Sequence, residues 1–169
     1  MYKYLIYFLI FSFFGWCAEM LFAAVRYGRF VRRGLLRGPV CPIYGVGICL
    51  SYLLLGAVES FAVLVLLSMA VATIVEFFVG LFAHKALKKR LWDYSKEKGN
   101  ILGYVCPRFS LIWGVVSAAV IRLLPRLDGA VALLDFPLSR AVAFVLMCLV
   151  VLDTKHSIEE GKLTQSTKI

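Results

Sequence analysis

Apolar residues run along this chain in blocks too long for a soluble fold, and the charged residues gather almost wholly between them. The first block is Tyr2–Val25, which meets the roughly 20 residues that a helix needs to cross hydrocarbon. It has only Lys3 in front, carries arginines behind, and is too long for a signal-peptide core, so it reads as a retained span. The next block, Pro42–Ala83, is apolar for 42 residues and is broken chiefly by Glu59. As one helix it would be about 63 Å long, twice the hydrocarbon thickness. It therefore predicts a hairpin of two spans turning near Gly56–Ser60. A fourth span is expected over Phe109–Leu124, stopped by Pro125, and a fifth over Leu138–Asp153. The fold class is all-α: a polytopic membrane bundle of about five transmembrane helices in a single domain, 1–169.

Composition agrees. Apolar residues make up 62% of the chain, against roughly 45–50% in soluble domains, and the mean hydropathy is +0.86. The net charge of +9 does not mark a nucleic-acid binder, because its carriers lie between spans and form no groove-binding surface. Their distribution orients the chain instead. Arg26, Arg29, Arg32, Arg33 and Arg37 follow the first span. Lys85, Lys88, Lys89, Arg90, Lys96, Lys98 and Arg108 follow the third, and Lys155, Lys162 and Lys168 lie in a tail over 154–169. Basic loops stay in the cytoplasm, so the N-terminus is expected outside and both long loops and the C-terminus inside. The same arginine cluster suits contact with anionic headgroups or a partner.

The chain also resembles itself. Glu19, a basic loop and Gly38-Pro39-Val40-Cys41-Pro42 recur as Glu76, a basic loop and Gly103-Tyr104-Val105-Cys106-Pro107. In each unit a deep carboxylate sits on an out-to-in span, and Val-Cys-Pro opens the returning one. This predicts a parallel two-helix repeat, with units over about 1–58 and 60–125 and the fifth span, 138–153, left over. Proline suits the first turn of a helix, so Pro42 and Pro107 mark where the returning helices start. Cys41 and Cys106 then stand at helix N-termini. Such a position favours a thiolate, although small residues filling a tight entry turn are the plainer reading. The five cysteines show no disulfide framework, and neither a zinc motif nor a phosphate-binding loop is present. No cofactor is expected.

Glu19 and Glu76 lie about 10–12 Å inside their spans, too deep for loops and too costly to face acyl chains. Ser12, Gly15, Glu19 and Ala23 share one helical stripe, and Ser68, Ala72, Glu76 and Gly80 share another. Stripes of small residues let helices approach closely. Three roles for the glutamates stay open: pairing with a loop arginine such as Arg32 or Arg33, lining a ligand or ion site with Tyr44 and Trp113, or serving as a lone catalytic carboxylate. Trp92 and Tyr94 beside a cationic run read as interfacial aromatics, while Asp93, Asn100 and Gly103 suit a folded re-entrant loop.

Gly15-Trp16-x-x-Glu19, the run from Arg33 through Cys41 and Tyr44 to Gly45, Trp92-Asp93-Tyr94-Ser95, Asn100-x-x-Gly103 and Ser110-x-x-Trp113-Gly114 resemble the bacterial family labelled ABC-transporter type IV permease. The similarity covers roughly residues 1–125. It implies a small protein of the bacterial cytoplasmic membrane with a part in transport. It also implies a separate ATPase subunit, since this chain carries no nucleotide-hydrolysis motif, and a homodimer, since five spans are few for a permease. Three function classes follow. One is a transporter subunit that holds a small substrate or ion among Trp16, Glu19, Cys41, Tyr44, Glu76, Asp93, Asn100, Cys106, Ser110 and Trp113. Another is a membrane enzyme acting on lipid or lipid-linked substrate through Asp93, Cys41 or Cys106. The last is a scaffold or sensor.

Overall fold

The computed structural model describes residues 2–28 and 35–166, with the backbone alone at 26–27 and 161–166. Among the described residues there are five α-helices: α1 (Tyr2–Tyr27), α2 (Pro42–Leu55), α3 (Phe61–Leu87), α4 (Pro107–Leu133) and α5 (Pro137–Ser166). Four are long and apolar enough to cross a membrane, over Tyr2–Val25, Phe61–Leu87, Pro107–Leu133 and Pro137–Glu160. The molecule is a helical membrane bundle. Its outer surface fits this, with Phe13, Phe14, Leu54, Leu66, Phe78 and Phe144 all exposed. Such a face is stable only against lipid or another protein.

The short member is α2. Its 14 residues span about 21 Å, well under the roughly 30 Å of hydrocarbon. The reason lies in where it begins. The Cys41 backbone N–H donates to the Ser12 carbonyl at 2.8 Å, near the middle of α1. The chain therefore leaves α1 at Tyr27, turns back about 22 Å along it, and starts α2 inside the bundle. Two N–H groups of this returning segment, those of Arg37 and Gly38, are held by the Asp153 carboxylate of α5 at 3.1 and 2.7 Å. Non-helical backbone at this depth is tolerable when protein supplies such partners.

The hairpin between α2 and α3 turns where expected. Gly56 closes α2, and Ser60 caps α3 by accepting from the Val63 N–H. Three boundaries differ from the sequence reading. Helix α3 runs on to Leu87. Helix α5 continues to Ser166, so residues 154–166 are helical rather than a simple tail. Pro125 does not stop the fourth helix, which passes through it to Leu133. Proline deletes one N–H, but neighbours can hold a membrane helix past the break. Here Asp128, one turn beyond, accepts from Tyr7 (2.7 Å), Lys3 (3.0 Å) and Tyr52 (3.1 Å), which ties α4 to α1 and α2.

The longest interfaces are α1 with α2 and α3 with α4. Small residues make both possible. A Cβ on Gly45 would sit 2.5 Å from the Phe8 carbonyl oxygen, and one on Gly114 would sit 2.7 Å from Met69 Cβ. Tyr7, Ile48, Leu124 and Val131 form one core cluster, and Leu55, Leu64, Ala118 and Ile121 form another.

Candidate functional site

Both stripes predicted for α1 and α3 face inward. Ser12, Ala23 and Ser68 are fully buried, and Glu76 is only 7% exposed. Each glutamate meets a tyrosine hydroxyl. Tyr44, in the first turn of α2, donates to Glu19 Oε1 at 2.7 Å. Tyr94, in the loop between α3 and α4, donates to Glu76 Oε1 at 2.9 Å. Gly15 is what lets Tyr44 reach its partner, because a Cβ there would lie 2.3 Å from the tyrosine ring.

Trp113 of α4 joins the two halves. Its indole stands edge-on to Tyr44, with ring centroids 5.4 Å apart, and it also lies beside the Glu76 carboxylate. Tyr94 stacks on Phe109 at 4.6 Å. The result is a continuous wall running from Glu19 through Tyr44 and Trp113 to Glu76, with Tyr94 and Phe109 closing it from the loop side. Burial, followed by the Glu76 carboxylate, pushes the Tyr94 phenol well above its ordinary value, so it remains a donor. Glu76 Oε2 is buried and has no hydrogen-bond partner, and among the described residues Glu76 makes no ion pair.

The other predicted residues divide. Cys41 and Cys106 occupy the N-cap positions of α2 and α4, each followed by proline. Burial, with Glu19 second, pushes the Cys41 thiol up to about 12, and Cys106 is 1% exposed. Cys41 is therefore no ready thiolate, because desolvation outweighs the helix end. Ser110 is buried one turn into α4, where its N–H donates to the Cys106 carbonyl. Trp16 stands apart, stacked on Phe13 on the adjoining face of α1.

Asp93 and Asn100 shape the second loop. Asp93 pairs with Arg90 at 2.6 Å and accepts from the Ser95 N–H at 2.9 Å. Asn100 donates to the Ser95 and Glu97 carbonyls and accepts from the Gly103 N–H. These bonds fold the loop back on α3. Trp92 donates to the Tyr104 carbonyl at 2.7 Å, and both rings lie over Gly80. Gly103 takes a left-handed φ of +74 that glycine adopts without strain. Arg37 is exposed and pairs with Glu160. Arg29, Arg32 and Arg33 lie outside the described residues, as does the side chain of Arg26. The proposed arginine partners of the glutamates fall there too.

The family described as "Putative ABC-transporter type IV" matches residues 6–158. The chain belongs to that family. The type IV match extends past the 1–125 expected from motifs and takes in most of α5. This includes Asp153, the acceptor that holds the returning segment before α2. Neither the curated proteins nor the solved structures hold a match to this type IV chain.

Tyr94, Phe109, Asp128 and Asp153 were not singled out as site or clasp residues in the sequence. The expected repeat bears on one of them. Three residues after its Val-Cys-Pro cysteine, unit one has Tyr44 while unit two has Phe109. The second glutamate therefore needed a hydroxyl from elsewhere.

Proposed function

We propose that this chain is the membrane subunit of a transporter, holding a small solute or ion between Glu19 and Glu76 at the loop end of the bundle. One observation carries the reading. Two deep carboxylates come from separate two-helix units, each is aimed by a tyrosine hydroxyl, and Trp113 bridges them. Membership of a family described as ABC-transporter type IV supports a transport role. On this reading a separate ATPase subunit supplies the energy and a second copy completes the pathway. The two units form a parallel repeat, and the basic loop end faces the bacterial cytoplasm. A lipid-acting enzyme draws less support, because the thiol of Cys41 is held protonated and Cys106 is enclosed.

The test is water access. In a variant freed of the five native cysteines, Glu19→Cys and Trp113→Cys should react with a membrane-impermeant maleimide in inside-out vesicles. Glu59→Cys, at the opposite end of α3, should react only in right-side-out cells. Unreactive cysteines at 19 and 113 from both sides would remove the solute site.

A further inference from the structure

Resting on the solute-site reading above, we infer that the ligand is a small organic monocation with N–H groups, an alkylammonium, held between Glu76 Oε2 and the faces of Tyr44 and Trp113. The first argument is the unused acceptor. Glu76 is more than nine-tenths buried, and Tyr94 engages only one of its oxygens. Oε2 is enclosed and no donor meets it in good hydrogen-bond geometry, although the Trp113 indole N–H interacts with the carboxylate. A buried acceptor left unmade costs free energy, and a buried carboxylate does so more than a neutral group. A ligand carrying both a proton to donate and a positive charge answers both deficits.

Aromatic rings are the second argument. Tyr44 and Trp113 stand edge to face at 5.4 Å, and Tyr94 and Phe109 stack behind them. Ring faces are negative, and tryptophan is the strongest cation binder among them. An anion would meet the enclosed Glu76 carboxylate and these same faces.

Among the described residues, the titratable groups around Glu76 do not supply the missing charge. From α1 comes Glu19, within electrostatic reach of Glu76; from α2 and the segment before it come Tyr44 and Cys41; from the second loop come Tyr94 and Cys106. Helix α4 contributes the neutral Trp113. No third His, Cys, Asp or Glu joins the carboxylates among the described residues, so a divalent metal would lack the oxygen-rich shell it requires. Size follows from Gly15. The Tyr44 ring already fills the place of a Cβ there, so it cannot retreat towards α1 to admit a bulky group.

The experiment is a thermal-shift titration of the purified full chain in detergent at constant ionic strength. The probes are methylammonium, tetramethylammonium, potassium, acetamide and acetate. Methylammonium should raise the melting temperature in a saturable way, with tetramethylammonium weaker because it has no N–H. Glu76→Gln should weaken methylammonium by at least about tenfold. Trp113→Leu should do the same, and it decides the matter if the Gln variant fails to fold. Saturable binding of acetate or acetamide that depends on Glu76 and Trp113, without methylammonium binding, would keep the site and overturn the cation. Potassium matching methylammonium would overturn the organic ligand. No saturable probe effect, or methylammonium binding that ignores both substitutions, would overturn the cation and leave the solute site to the maleimide test.

Discussion

The two helix pairs solve one problem by different routes. In the α1–α2 pair the hydroxyl that steadies the glutamate comes from the returning helix itself, at Tyr44, three residues after Cys41. In the α3–α4 pair the matching position is Phe109. A tyrosine from the loop, Tyr94, lies flat on that phenylalanine and delivers the hydroxyl instead. The surroundings differ as well. Glu19 is partly exposed, whereas Glu76 is enclosed with one oxygen unused. What the two halves share is the function of a contact rather than the residue that makes it. The enclosed member of the pair is the one left with binding capacity.

The largest effect on this comparison should come from the glycine that seats α2 against α1. Gly45→Ala places a Cβ 2.5 Å from the Phe8 carbonyl oxygen and 2.3 Å from Ser12 Oγ. Such overpacking costs about 1–3 kcal/mol or more. Gly47→Ala, one turn-face away with open space around it, should leave the melting temperature near the parent's. Equal melting of the two variants in detergent would break the account of the α1–α2 seam.

Removing one hydroxyl is next. Tyr94→Phe strips the enclosed Glu76 of the hydroxyl that Oε1 accepts from and should cost about 1–3 kcal/mol. Tyr44→Phe acts on the more exposed Glu19 and should cost less. The sharper form adds Phe109→Tyr to Tyr94→Phe. If the halves are equivalent, a hydroxyl at 109 recovers part of the loss, and a thermal melt of the double variant reads it directly. No recovery would separate the pairs.

Asp128→Asn tests the opposite end, where one carboxylate receives Lys3, Tyr7 and Tyr52. The amide keeps an acceptor oxygen but loses the ion pair, which is about one-third exposed. A loss of about 1 kcal/mol is expected, read as a small drop in melting temperature. Fraying of α4 beyond Pro125, seen as faster amide exchange over 126–133, should accompany it.

The smallest effect belongs to Asp93. Hydrogen bonding from Ser95, then pairing with Arg90, holds its carboxyl below the usual carboxylate range. A depressed folded value means the contribution is present above the unfolded value and is lost as pH falls through the folded one. Amide protection factors in the loop 92–105, corrected for the intrinsic pH dependence of exchange, should therefore fall on acidification below the usual carboxylate range while the helices stay protected. In Asp93→Asn that pH dependence should vanish.

Much of the bundle was legible because lipid imposes a simple rule on sequence. Long apolar blocks, the turn at Gly56–Ser60, the prolines opening α2 and α4, and the inward stripes around Glu19 and Glu76 all follow from helix period and desolvation. Three features were not. Pro125 looked terminal because a sequence does not show Tyr7, Lys3 and Tyr52 converging on Asp128. The half-depth start of α2 depends on one bond from Cys41 to Ser12 across a loop. Tyr94 read as an interfacial aromatic, since nothing local announces that the loop folds back far enough to reach Glu76. Each miss is a long-range contact that no periodicity encodes.

The brevity of α2 bears on how the protein is made. A helix of about 21 Å is too short to satisfy the insertion machinery as an independent span, and its first turn gains its hydrogen-bond partner only once α1 is in place. Biogenesis is thereby ordered. Helix α1 enters first and exposes the Ser12 carbonyl, and the longer α3 then carries α2 in as a hairpin. Closure of the Tyr44–Glu19 contact becomes a late event in assembly, after the membrane has already received most of the chain.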